Sequence, residues 1–417
     1  MSATSPLAGR LTLKVGTGST AQVFDQILSA AIGRDMRDVA GTFELEVYDA
    51  GRALAAMAQA AQGPSGAPLT QGTAATLAID GEAVLVGWVD VAEGEWTGEA
   101  ITARLRGRDK TGDLVDCAAA PAGPAEFRKA DLLHVATTIC APYGITVRAE
   151  TEIGAPFERL ALGPHETAMV VLEKAARQRS VLLVSDGVGG LLLTTGGRAT
   201  APGPLLIGDA VQASSYRFDW TRRFSDVWVK GQTERANGAR AGVAAPLTHA
   251  TAPLAGGAAP ALPATAQATE AGAILMAGHA VDPVVTRFRP VVKTTRTQSG
   301  MDSVQTQAEW WVRVLRGEST WLAYTVLDWR GPNGSLWRPN QKVRVRDPYA
   351  GIDGDMLIRK VTYRLRDGDD GGGAVTEIEV VGLTAFDRIN QAQPRRPLRA
   401  KYAPYPNQYT EFPTRPQ

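Results

Sequence analysis

Cysteine is nearly missing from this chain: Cys117 and Cys140 are the two in 417 residues. That excludes a disulfide framework, and free thiols of the buried kind are expected. Histidine is scarce as well. His134, His165, His249 and His279 include no pair at metal-ligand spacing, so no metal site is expected. Neither charge sign is in excess, with 44 basic against 43 acidic residues and a net charge of +1, which argues against a chain-wide grip on nucleic-acid phosphates. No apolar run approaches the roughly 18 residues of a membrane span. The opening MSATSPLAGRLTLKVG lacks a charged start followed by an apolar core, so no signal peptide is read, and the chain is expected to be made in, and stay soluble in, a cytoplasm. No GxxxxGK phosphate loop and no GxSxG elbow occurs. RDGDDGGG (366–373) lacks the alternate acidic ligands and closing glutamate of a calcium loop and reads as a hairpin loop.

What is there is mostly alternation. FELEVYD (43–49), ATLAIDGEAVLVGWVDV (75–91) and EAITARLRGRD (99–109) each alternate apolar and polar side chains, the period of half-buried strands. Asp80-Gly81 predicts a tight hairpin. The period then turns helical. Residues 128–144 place Leu132, Ala136, Ile139 and Tyr143 on one face, and 165–179 do the same with Ala168, Leu172, Ala175 and Ala176. A hairpin follows around Asp186-Gly187. The predicted organisation is a first β-barrel domain over 1–118, an α/β insertion over 119–208, and completion of the first barrel by 209–232. An Ala/Pro/Gly-rich linker or long loop is expected over 233–280. A second β-barrel domain spans 281–390, with one helix at 301–317 whose stripe is Val304, Ala308, Trp311 and Leu315, and whose start Asp302 caps with Gln305 in the capping-box position. The proline-rich 391–417 reads as an extended C-terminal arm.

GRDKTGDLVDC (107–117) is the densest stretch for chemistry, with Asp109, Asp113, Asp116 and Cys117 in reach of one another along the chain. Acid–base work would need those groups gathered in a cleft. Arg108 and Lys110 are adjacent counter-charges, Lys110-Thr111-Gly112-Asp113 is turn chemistry, and strand period gives way to helical period here. The pattern favours a domain junction. Catalytic and cofactor-binding residues are expected to be none, and the chain is read as a non-enzyme. The five tryptophans Trp310, Trp311, Trp321, Trp329 and Trp337 crowd one segment. Most are assigned to core packing; Trp310, Trp311, Trp321 and Trp337 are the candidates for a subunit interface, where tryptophan is enriched.

The ordered set GRDKTGDLVDC, VLVGWVD (84–90), VWVKGQ (227–232), VDPVVTRFRPVV (281–292), 308–348, MLIRKVTYRL and EIEVVGLTAFD resembles the Mu-like phage tail protein family, the P protein that forms the baseplate hub of contractile tails. The resemblance runs in order from about residue 10 to residue 387. It implies a structural protein with no cofactor, in which two barrels per chain assemble as a homotrimeric ring around a central channel. The implied partners are the central spike protein, the tail tube protein, baseplate wedge proteins and the tape measure protein, with DNA passing through without sequence-specific binding. The implied location is the virion tail baseplate, assembled in the host cytoplasm. Two other readings stand beside it: a cell-wall or carbohydrate-binding module carried by 120–205, and a tail-associated peptidoglycan hydrolase.

Overall fold

The computed structural model describes residues 10–16, 21–48, 71–96, 101–234, 267–268, 273–294, 301–366 and 373–383. Among the described residues strand makes up 52% and helix 16%, a mainly β composition. The first β stretch holds β1 (Leu11–Val15), β2 (Gln22–Phe24), β3 (Ile27–Asp35), β4 (Thr42–Tyr48), β5 (Ala74–Ile79), β6 (Glu82–Trp96) and β7 (Ile101–Asp109). Side chains alternate across the pleat as the period of two requires: Phe43, Leu45, Ala103 and Leu105 are buried, while Glu44 and Arg104 face solvent. The β5–β6 hairpin turns at Asp80-Gly81, where both φ values are positive, 51° and 81°.

The chain then enters the α/β unit: α1 (Gly112–Asp116), β8 (Glu126–Ala130), α2 (Leu132–Cys140), β9 (Thr146–Ala149), β10 (Phe157–Ala161), α3 (Ala168–Gln178), β11 (Leu182–Ser185) and β12 (Gly190–Thr194). Asp131 and Thr167 cap α2 and α3 by accepting from the backbone N–H three residues on. The two helices lie against a β11-β12-β9 sheet and a β8–β10 pair, around a separate core that includes Leu114, Phe127, Leu132, Val135, Ile139, Leu172 and Leu193. The last third returns to strands: β13 (Ala199–Thr200), β14 (Leu205–Leu206), β15 (Val211–Phe218), β16 (Asp226–Glu234), β17 (Gln267–Ala268), β18 (Ala273–Val281), β19 (Pro290–Thr294), α4 (Met301–Glu318), β20 (Thr320–Leu327), β21 (Gln341–Asp347), β22 (Ile352–Arg366) and β23 (Gly373–Gly382).

Two separately closed barrels are the sequence expectation, and the pairing differs. One 14-stranded sheet runs β15-β20-β23-β22-β3-β4-β7-β6-β5-β1-β2, with β21 beside β22 and β13 and β14 beside β21. Among the described residues no ring of strands closes on itself. The reason lies in β22. Its residues 352–357 pair with β21, and after a bulge at Arg359 residues 360–365 pair with β3. The edge that would close the second barrel is spent on the first β stretch. One hydrophobic core therefore runs through both, including Leu45 and Leu105 from one side and Tyr324, Tyr363 and Ile378 from the other.

Within the joined sheet the same five-strand unit occurs twice. The order β3-β4-β7-β6-β5 is matched by β15-β20-β23-β22-β21, antiparallel throughout. The fourth strand in each order, β6 or β22, is 15 residues long. Residues 209–232 accordingly do not complete the first barrel. β15 opens the second unit, and β16 leaves the large sheet altogether. Alternation announces a strand, but partner choice depends on register against distant segments.

β16 belongs to a four-stranded sheet, β17-β18-β16-β19, whose face is covered by α4. The expected linker over 233–280 thus contains β17 and most of β18; its residues 235–266, like the arm 391–417, lie outside the described residues. Of the predicted stripe, Val304, Ala308 and Leu315 are buried, and Trp311 is half-buried. The Asp302 side chain of the predicted capping box lies outside the described residues, but Gln305 has another partner. Its amide exchanges hydrogen bonds with the backbone of His279 on β18, at 3.0 Å and 2.9 Å. Gly278 permits that approach, because a Cβ there would stand 2.3 Å from the Val304 carbonyl oxygen.

Asp282 pins this unit. It is 1% exposed and accepts hydrogen bonds from Arg223 at 2.8 Å, from Arg316 of α4 at 2.8 Å and from the Val284 N–H at 3.1 Å. Burial pushes its carboxyl up, but the two guanidinium partners outweigh that and hold it below the ordinary aspartate range. A depressed carboxylate contributes stability above its unfolded pKa and loses it as pH falls through the folded pKa. Asp282→Ala is expected to cost about 3–5 kcal/mol at neutral pH, read by denaturant melts. The gap between wild type and Asp282→Asn should narrow as pH falls below about 4. A constant gap down to the acid limit would remove the charge from the account.

Candidate assembly interface

The acidic stretch resolves into a joint. Asp109 ends β7, is 1% exposed, and accepts from Thr111 N–H at 3.0 Å, the Thr111 hydroxyl and the Ser185 hydroxyl at 2.7 Å. The one Thr111 hydroxyl proton is shared between Asp109 and the Val39 carbonyl, 3.0 Å away, and Arg34 of β3 donates to the Ser185 carbonyl at 2.7 Å. One carboxylate thus ties the end of the first β unit to α1 and to the β11 hairpin. Burial pushes the Asp109 carboxyl above the usual aspartate range, and its hydroxyl donors offset only part of that.

The other acidic groups do not join it. Asp116 is exposed and pairs with Arg108 at 2.6 Å, and Arg108 also reaches Asp90 at 3.1 Å. Cys117 is exposed, while Cys140 is buried and its thiol is pushed up to about 12. Among the described residues no three His, Cys, Asp or Glu side chains are grouped to hold a metal ion.

The tryptophans divide by position. Trp329 and Trp337 are each 1% exposed and sit in the shared core, so Trp337 packs the folded chain and offers no ring to a neighbour. Trp321 is half-buried on the outward face of β20, donating to Glu379 at 2.7 Å. Trp310 and Trp311 meet edge to face at 5.0 Å, with Lys293 lying 4.8 Å over Trp311. They line a cleft of about 290 Å³ between α4 and the α/β unit, opposite Met169, Ala176 and Val181. Their visible work is to fill the angle between two units of the same chain.

The free surface is at the strand edges. Apart from one bridge between Val211 and Ile207, the outer edge of β15 pairs with no strand among the described residues. Tyr216 and Phe218 share the core-facing side of β15 with their partners on β20, yet they are 49% and 50% exposed, and Trp220 beyond them is 43% exposed. Two aromatic rings on the inner face of an unpaired edge mark a surface that gains by being covered. Sequence reading missed them because ASSYRFDW alternates like any half-buried strand. Among the described residues the second unpaired edge is the end of β6: β5 covers residues 82–88, while Val91–Trp96 pair only with β7. At the far end of the sheet, β2 leaves Val23 64% exposed.

Comparison with known proteins matches three stretches of the chain to baseplate protein domains. Residues 12–109 match the family described as Mu phage baseplate assembly protein GpP-like, N-terminal. Residues 111–195 match baseplate hub protein gp44-like, second domain, and residues 300–388 match the fourth domain of GpP. The baseplate hub protein gp44 of Escherichia phage Mu is 30% identical over 376 residues, covering 88% of this chain and 86% of the relative. The chain belongs to the Mu phage baseplate hub family. A 43 kDa tail protein of prophage MuSo2 from Shewanella oneidensis superposes with a TM-score of 0.69 at 28% identity, covering 91% of this chain and 99% of that one. A tail protein from Neisseria meningitidis MC58 shares the fold at 0.67 and 19% identity, covering 91% and 99%. This hub-family chain is a structural protein of a phage tail.

The joint at Asp109 is open to test. Asp109→Ala is expected to cost about 3 kcal/mol by leaving the buried Thr111 N–H and Ser185 hydroxyl without their acceptor. A raised carboxyl stabilises most below its unfolded pKa, and that contribution is lost as pH rises through the folded value. Wild type should therefore lose stability relative to Asp109→Asn as pH climbs from below about 4, followed by thermal melts. Parallel pH profiles for the two proteins would refute the buried carboxylate as the cause.

Proposed function

We propose that this protein forms a homotrimeric baseplate ring whose channel joins the central spike to the tail tube of a contractile tail, with no catalytic step of its own. The observation that carries the reading is the repeated five-strand unit. Two such units per chain in the same strand order give six near-equivalent positions from three chains, which lets a threefold spike meet a sixfold tube. Membership of the baseplate hub family supports the location in the virion tail, and assembly in the host cytoplasm is part of the same proposal. The partners proposed are the spike, tube, wedge and tape measure proteins.

The solvent face of the joined sheet supports passage of DNA without capture. Its charges are interleaved: Arg106 pairs with Glu93 at 2.6 Å, Arg104 with Glu46 at 3.9 Å, Arg364 with Glu377 at 2.7 Å and Lys360 with Glu379 at 3.7 Å. The solvent-facing cations of β7 and β22 are thus each paired, which leaves them less free to hold phosphates. Light scattering on the full chain is expected to give a species of three times 44.2 kDa. A monomer at every concentration, unchanged by adding the spike, would overturn the ring.

A further inference from the structure

We infer that neighbouring copies join by antiparallel strand pairing between the end of β6 in one copy and β15 of the next, in a register that the chain's own internal seam dictates. The inference rests on the ring reading above and names the surface that would close it.

The two five-strand units correspond residue by residue. In the first, Ala30, Ala31, Ile32 and Gly33 of β3 pair with Leu45, Glu44, Phe43 and Thr42 of β4. In the second, Ser214, Ser215, Tyr216 and Arg217 of β15 pair with Tyr324, Ala323, Leu322 and Trp321 of β20. Each β3-like strand has its register shift at its first step, Ile27/Ser29 and Val211/Ala213. Each long strand is bulged at a matching place, Val89/Val91 in β6 and Ile358/Lys360 in β22. Even the turn that follows is repeated: Asp35 accepts from the Arg37 N–H at 2.9 Å, and Asp219 from the Thr221 N–H at 2.8 Å. Tyr216 thus stands where Ile32 stands, and Gly94 stands where Tyr363 stands.

Inside the chain the two units meet where β22 passes its bulge. Val361, Thr362 and Tyr363 pair with Arg34, Gly33 and Ile32. Among the described residues, the matching half of β6 and the matching edge of β15 are the two that stand open. Transferring the register sets Ala92 opposite Phe218, Glu93 opposite Arg217 and Gly94 opposite Tyr216. Each contact is complementary. The two exposed aromatic rings face the two small residues, and the outward pair has opposite charges, with Glu93 and Arg217 both solvent-exposed. Within the chain the large ring lies on the other strand, Tyr363 against Ile32, so the two seams share a backbone register with inverted side-chain sizes. A head-to-tail contact of this kind uses two different edges and can close into a ring. It also covers both unpaired edges at once.

The test uses the full chain with Cys117→Ser, which removes the exposed thiol and leaves buried Cys140 in place. Glu93→Cys and Arg217→Cys together, treated with a short bis-maleimide, are expected to give two- and three-chain bands on a denaturing gel, and either variant alone none. A trimeric mass by light scattering with no cross-linked band overturns the pairing while the ring stands. A monomeric mass with no band removes the ring and the pairing together. Charge reversal gives a second route: Glu93→Arg should weaken association at least about tenfold, and Arg217→Glu in the same chain should restore it. Failure of the double reversal to restore association would exclude contact between those two residues.

Discussion

The edge of β22 that faces away from β23 serves two partners, and much of the molecule hangs on how it is divided. Before the bulge it holds β21; after it, β3. Arg359 occupies the bulge, 8% exposed, with its guanidinium bonded to Glu379 and 3.9 Å from Asp35 across the seam. The Arg359 carbonyl accepts from the Met36 N–H at 2.9 Å, where the chain leaves β3. A bulge bends its strand and raises local twist, so one edge of one strand can take two partners in succession. The position is filled by Asp90 in β6, where it pairs with Arg108 at 3.1 Å on the surface. A buried cation ties the internal seam, while its counterpart on the open edge remains in water.

Around that seam the other units are fastened by single buried carboxylates. Asp109 secures the α/β unit to the first β unit, and Asp282 secures α4 to the small sheet. The two use opposite electrostatics. Asp109 is satisfied by hydroxyls and backbone and is pushed toward its neutral form, while Asp282 is held ionised by two guanidinium groups. Trp310 and Trp311 then fill the space where α4 approaches α3. The result is a scaffold whose surface chemistry lies in strand edges and interleaved ion pairs.

Local structure was legible in the sequence wherever periodicity alone decides it. The alternation at 43–49 and 99–109, the Asp80-Gly81 turn, α3 and α4 follow directly from residue order. The predicted helix over 128–144 shortens to α2 because 126–130 forms a strand and 141–143 tighten into a 3₁₀ turn ended by Gly144. What was not legible depends on distant partners. AILMAGHAV, the strand β18, sits at the end of an Ala- and Pro-rich stretch and reads as its continuation until β16 and α4 lie against it. Gln305 has the spacing of a cap, but Gly278 opens a closer partner on the neighbouring strand. Tyr216 and Phe218 become a candidate surface only when β15 is seen to be an edge. The internal repeat escaped for the same reason: its likeness lies in strand order, bulges and register, while Ile32 and Tyr216, or Tyr363 and Gly94, share no chemistry.

The seam between β3 and β22 also orders events in time. β3 is among the first strands to leave the ribosome, and its partner residues 360–365 are among the last of the described sheet. At about 10 residues per second, the β3 edge waits for roughly half a minute without the strand that covers it. During that interval a nascent chain carries the edge most apt to pair with another nascent chain on the same message. In the complete chain the α/β unit has a core of its own, and Arg34 of β3 donates to its Ser185 carbonyl. An insertion between two halves of a sheet thus lengthens the time for which the half made first waits for its partner strand.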